Sequence, residues 1–133
     1  MGVGPNYGLG KGFLAQGASA YLFGQPVASG TVEQSCKAIT VANTRVLGIS
    51  QETVDAAKIA TGKHILTVWV TGISRVIAGA AIAKDDPLTV DATGRAIKQV
   101  TAGGLVFGIA QTACTAANQH VDVLLTPGAT LTG

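Results

Sequence analysis

Short apolar runs separated by turn-forming residues dominate this chain, and Val, Ile and Thr fill most of them. Such runs suit pleated, half-buried surfaces, and their spacing is that of hairpins. They predict strands at Ala20–Phe23, Val32–Ala42, Val46–Ser50 and His64–Val70. A second series follows at Ser74–Ala78, Leu88–Asp91, Ala96–Thr101, Val106–Ala110 and Val121–Thr126. The breaks carry turn chemistry. Asp91-Ala92-Thr93-Gly94 has Asp at the first position and Gly at the fourth, the mark of a type I turn. Asn43-Thr44 and Ala102-Gly103-Gly104 read as further turns. Residues 51–60 and 112–118 lack the strand pattern and read as short helices or crossing loops, the first of them ended by Gly62. The expected class is all-β.

The pattern also repeats. Val46-Leu47-Gly48-Ile49-Ser50-Gln51 returns as Val106-Phe107-Gly108-Ile109-Ala110-Gln111. Pro26-Val27 answers Pro87-Leu88, Gly17-Ala18 answers Gly79-Ala80, and His64 to Gly72 answers His120 to Gly128. The offset between matched positions drifts from about 62 to about 56, as small changes in loop length produce. This matches His64 with His120 and Trp69 with Leu125. The chain therefore divides into an arm, 1–16, and one β-domain, 17–133, built from two similar halves at about 17–72 and 79–128. Gly48 and Gly108 stand inside predicted strands, where two backbones pack closely.

Composition narrows the role. Charged residues are 12% of the 133, about half the usual share, while apolar residues at 47% are ordinary. Much of the outer surface is therefore neutral and poorly protected against association. The nine basic residues are scattered and the six aromatics are too few for a stacking platform, so a nucleic-acid footprint is missing. No apolar run is long enough to span a membrane, and the N-terminus lacks the pattern of a signal peptide. Synthesis and use in the cytoplasm are expected. Cys36 and Cys114 leave both a bridge and two free thiols open, with free thiols favoured in a reducing compartment.

The arm is rich in glycine yet carries Tyr7, Leu9, Phe13 and Leu14. It either folds back on its own domain or lies across a neighbour. On the second reading these four residues are the partner interface, and removing 1–14 leaves the domain folded but weakens association.

Catalytic candidates fail one by one. His64 and His120 lack a third ligand for zinc, and no acidic or cysteine residue stands at ligand spacing from either. Asp85-Asp86-Pro87 is turn chemistry without the further oxygens a calcium loop needs. Gly8-Leu9-Gly10-Lys11-Gly12 has neither strand before it nor helix after it, so it makes no phosphate cradle. No catalytic residue, cofactor or metal is expected, and a duplicated unit of this kind reads as a structural building block.

Gly24-Gln25-Pro26-Val27, then Val46 to Ser50, then Ala60-Thr61-Gly62-Lys63, then Ile65 to Gly72 form a series. With Asn6-Tyr7 ahead of it, this series resembles the small capsid decoration, or cement, proteins of tailed bacteriophages. The resemblance spans about residues 6–128 and rests on Gly, Pro, Val and Ala. It implies a compact β-barrel or β-sandwich, clustering as trimers or other homo-oligomers outside a phage head. It implies the major capsid protein as partner, no membrane, no direct nucleic acid and no catalysis. The expected function is thus to hold neighbouring capsid subunits together. The alternative is a carbohydrate- or ligand-binding β-domain serving host adhesion, which needs a cleft with exposed aromatics.

Overall fold

The computed structural model describes residues 8–131. Nine strands and one short helix follow in chain order: β1 Gly8–Ala15, β2 Pro26–Ser29, β3 Ser35–Ala38, β4 Gly48–Ser50, α1 Ala56–Ala60, β5 Ile65–Ile77, β6 Pro87–Val90, β7 Ala96–Lys98, β8 Leu105–Ala110 and β9 His120–Thr130. The sheet order is β1-β3-β2-β4-β5-β9-β8-β6-β7, and a further β1–β5 pairing closes the first five strands into a barrel. The remaining strands extend from β5, and a bridge from Ala78 to Ala96 brings β7 back against the end of that strand. The all-β class expected from the sequence is observed, and of the barrel and the sandwich the first five strands form the barrel.

The two halves share one pairing scheme. Val27↔Gly48 in the first half corresponds to Leu88↔Gly108 in the second. Ala28↔Lys37 corresponds to Thr89↔Ile97, and Ile49↔Trp69 to Ile109↔Leu124. The isolated bridge Tyr21↔Val54 corresponds to Ile82↔Cys114. Phe13↔Leu66 corresponds to Val76↔Val121. The last correspondence involves β1 itself: in the first half β1 takes the place that the C-terminal part of β5 takes in the second. β5 is therefore shared, ending one half and opening the other.

This register corrects the residue matching made from sequence. His120 corresponds to Ile65, since Leu14↔Ile65 answers Ile77↔His120. His64 corresponds to Gln119, because their carbonyls accept from the equivalent Ala15 and Ala78 amides. Trp69 matches Leu124, not Leu125. The slip is one residue, and in a strand one residue reverses the face. The two histidines therefore have no symmetry relation.

Of the two alternatives for the glycine-rich segment, residues 8–15 take the one in which it folds back on its own domain. Residues 8–15 are a strand, antiparallel to β5 along most of its length and parallel to β3 at its end. Residues 1–7, including Tyr7, lie outside the described residues. The glycines answer to space rather than flexibility. A Cβ on Gly10 would lie 3.0 Å from Cδ1 of Trp69, and one on Gly12 would lie 2.6 Å from Cγ2 of Ile65. Small residues on β1 thus admit bulky ones on β5. Sequence signals of disorder and of close strand packing are both glycine, and only the neighbour tells them apart.

Side-chain alternation sets the interior. Leu66, Val68 and Val76 on β5 point inward, while Ile65, Thr67 and Arg75 point out. One core cluster fills the first barrel, with Phe13, Tyr21, Val27, Cys36, Leu66 and Val68. The other fills the second half but includes Ala28, Ile39 and Ile49 from the first, so the halves are cemented by shared core. Asn43 adds a polar tie. Its Oδ1 accepts from Gln99 Nε2 at 2.8 Å and from Leu105 N at 3.1 Å, both in the second half.

Of the two segments read as helices or loops, only Ala56–Ala60 is helical, capped by Asp55, whose side chain accepts from Lys58 N. Residues 112–118 form turns and the short bridge at Cys114, whose backbone pairs with Ile82 in both directions in place of a helical ladder.

Two outcomes follow from this packing. Deleting residues 1–14 removes β1 and opens the barrel, so the truncated chain is expected to lose cooperative thermal unfolding, reversing the expectation from sequence. Gly48 and Gly108 each sit against the opposite strand: a Cβ would lie 2.6 Å from Val68 Cγ1 in the first case and 2.8 Å from the Leu124 carbonyl in the second. Gly108→Ala should therefore lower stability in chemical denaturation by about 1–3 kcal/mol, the usual cost of overpacking.

Candidate functional site

The residues singled out for chemistry are dispersed by the fold. His64 is half-buried and its Nε2 lies 2.6 Å from Oε1 of Glu52. Sequence spacing showed no acidic partner; the crossing segment through α1 folds Glu52 back onto the start of β5. His120 is exposed at the start of β9, with its ring centroid 6.5 Å from that of Phe23. Asp85 takes a left-handed backbone, φ 71°, and Asp86 accepts from Ala83 N at 2.9 Å, so the pair closes a turn. Among the described residues, no three of His, Cys, Asp and Glu converge as a metal site would require. Among the described residues, no helix is long and apolar enough to cross a membrane.

The strongest polar network is a turn. Asp91 Oδ1 accepts from Thr93 N, Thr93 Oγ1 and Arg95 N at 2.8–2.9 Å, and Arg95 Nε lies 3.2 Å from Oδ2. Burial works against this carboxylate, but the hydrogen bonds and the guanidinium outweigh it and hold its pKa below the ordinary value. Gly94 completes the predicted turn with φ 79°. The group stabilises a corner; its carboxylate is fully engaged.

Cys36 and Cys114 are both free thiols. Burial pushes Cys36 from its ordinary 9.0 to about 11, so it is a packing residue and a poor nucleophile. Burial, then the neighbouring Cys36, pushes the Tyr21 phenol from 10.0 to about 12, and its hydroxyl donates to the Gln16 carbonyl at 2.7 Å.

Several large apolar side chains stand open to solvent. Val100 is 77% exposed, Val41 65%, Ile65 56% and Val32 55%. Sequence reading missed three of these because it ran strands through 32–42 and 96–101, where alternation assigns such residues to a core. The strands stop at Ala38 and Lys98, leaving Val32, Val41 and Val100 in connections. Of the four residues expected at a partner interface, Phe13 packs in the chain's own core, with Lys11 Nζ 5.7 Å above its ring. Leu14 is half-buried and pairs across to the exposed Ile65. Leu9 stands opposite Thr71 on the strand.

The family of phage cement proteins matches residues 23–125, and the chain belongs to that family. It is thus a structural protein associated with the phage head. Among solved structures, the head fiber gp8.5 N base of bacteriophage phi29 has the same fold: TM-score 0.67 and 21% identity, covering 89% of this chain and 95% of that one. No curated protein matches the chain.

The buried thiol and phenol carry a pH signature. Both pKa values are higher in the folded chain, so the folded state holds more protons than the unfolded one in alkali. Stability from these groups is complete below about pH 9 and is lost as pH rises through about 11 and then about 12. Thermal midpoints should fall across that window, and the double variant Tyr21→Phe, Cys36→Ala should show a flatter alkaline decline.

Proposed function

We propose that the protein binds the outside of an assembled phage head and stabilises it by bridging neighbouring capsid subunits. Family membership over residues 23–125 carries the proposal, and the low charge of the chain with its exposed apolar side chains supports it. A chain with 12% charged residues and open valines on its surface is suited to being covered. The partners are the major capsid protein and other copies of this chain, as a trimer or another homo-oligomer. The protein is made in the host cytoplasm and ends on the capsid exterior. Multivalency supplies the energetics: each copy needs modest contacts, because copies that also touch one another are held at high effective concentration.

Tyr7, Leu9, Phe13 and Leu14 enter this proposal as a group anchored by β1. Phe13 stiffens the strand from inside. Leu14 with Ile65 gives an apolar pair on the outside, and Tyr7 and Leu9 are assigned to the same interface. A large apolar side chain fully buried on binding contributes about 1.5–3 kcal/mol, which repeated over many copies suffices for tight attachment. No catalysis belongs to this role.

The test is co-sedimentation with empty heads, together with sizing of the free protein. Ile65→Asp and Val100→Asp should weaken shell binding by about tenfold or more while moving stability by no more than about 0.5 kcal/mol, as surface changes do. His64→Ala, His120→Ala, Asp85→Ala and Asp86→Ala should each leave binding within about tenfold. A protein that fails to sediment with heads at any concentration counts against the proposal.

A further inference from the structure

The repeated Gly-Ile-x-Gln motif has a consequence that the packing of the halves does not use. Gln51 and Gln111 end the two copies, and the fold brings both to one open cleft of about 450 Å³. That size lies within the range of roughly 300–1,000 Å³ typical of small-molecule sites. Trp69 and Phe23 also line the cleft, with Arg75 and Asp122.

Each glutamine is held in the same way. Gln51 Nε2 donates to the Ile49 carbonyl at 3.1 Å and to Ser74 Oγ at 2.9 Å, and Gln111 Nε2 donates to the Ile109 carbonyl at 3.3 Å. The amide nitrogens are tethered, and among the described residues neither amide oxygen receives a hydrogen bond. Arg75 Nε stands 3.8 Å from Asp122 Oδ1, too far for a direct bond, and both side chains are open to solvent at 60% and 44%. The cleft thus holds fixed acceptors, a loosely paired carboxylate and guanidinium, and two aromatic rings, with no net charge.

We propose that this cleft is a binding site for an uncharged saccharide. Each feature selects that class. A pyranose ring has an apolar C–H face that packs on an indole or phenyl ring, and a rim of hydroxyls that both donate and accept. Tethered amide oxygens accept from such hydroxyls, the carboxylate accepts from two neighbouring ones, and the guanidinium donates to their oxygens. Phosphates and polyanions are disfavoured because Asp122 cancels Arg75. Apolar ligands would leave four polar groups without partners. The site goes beyond attachment to the head: a decorated shell would carry one weak sugar site per copy, and many copies would turn weak binding into adhesion.

Trp69 is the chain's one tryptophan, so its fluorescence reports this cleft alone. The full-length protein is titrated with maltoheptaose, cellohexaose and N-acetylglucosamine oligomers. The expected result is a saturable emission change with at least one of them, at a Kd of about 1 mM or tighter. It should be insensitive to salt between about 50 and 500 mM, as binding of a neutral ligand is. Gln111→Ala and Asp122→Asn should each weaken it about tenfold or more, with thermal midpoints unchanged. No response to the whole panel overturns the proposal. So does a response that both variants retain, or a salt-sensitive response confined to inorganic phosphate or heparin. Shell co-sedimentation of the same variants is read separately and should be unaltered.

Discussion

Everything in this fold depends on the continuous backbone pairing of β5. Over its 13 residues this strand pairs with β1 and β4 toward its start and with β9 toward its end. It closes the first barrel and founds the second half without a linker. Its inward phase is the same on both sides of the junction: Leu66 and Val68 before it and Ser74 and Val76 after it all face inward, across an irregular stretch from Trp69 to Ile73. A single strand that keeps its phase through both halves fixes their relative orientation. The shared core of Ala28, Ile39 and Ile49 with residues of the second half then locks it.

The duplication is a duplication of backbone more than of side chains. Equivalent inward positions hold Phe13 and Val76, Tyr21 and Ile82, Cys36 and Ala96, Val54 and Cys114. Volumes redistribute within each half while the hydrogen-bond ladder is kept, as expected when cores tolerate apolar exchange at conserved patterning. The glycines that recur, Gly48 and Gly108, are kept because the opposing strand leaves no room for a Cβ. The halves are thus free to diverge on their outer faces. One carries Ile65 where the other carries His120.

That freedom matters for a protein of the cement family. A small barrel with little charge provides a rigid body whose exterior can be specialised patch by patch. Open apolar residues in the connections and on β5 suit contact with a shell, while the cleft between the halves gathers polar groups and aromatic rings. The residues weighed for chemistry in sequence make local contacts: His64 meets Glu52, Asp85 and Asp86 close a turn, and Cys36 is packed in the barrel.

Sequence by itself determined the class, the repeat and most strands, because alternation and turn residues act over neighbouring positions. Val106–Ala110 lies within β8, and Asp91-Ala92-Thr93-Gly94 turns as read. The family was legible too, through Pro26-Val27 and the Val-x-Gly-Ile motif. Tertiary structure decided the rest. The glycine-rich segment became β1 because Trp69 and Ile65 stand opposite its glycines, a fact about residues more than fifty positions away. The one-residue slip that separates His64 from His120 depends on ladder register, which loop lengths hide. Gln51, Gln111, Trp69 and Asp122 share a cleft only because β5 carries one half onto the other. Local pattern encodes which residues are strand; long-range pairing alone settles which of them meet.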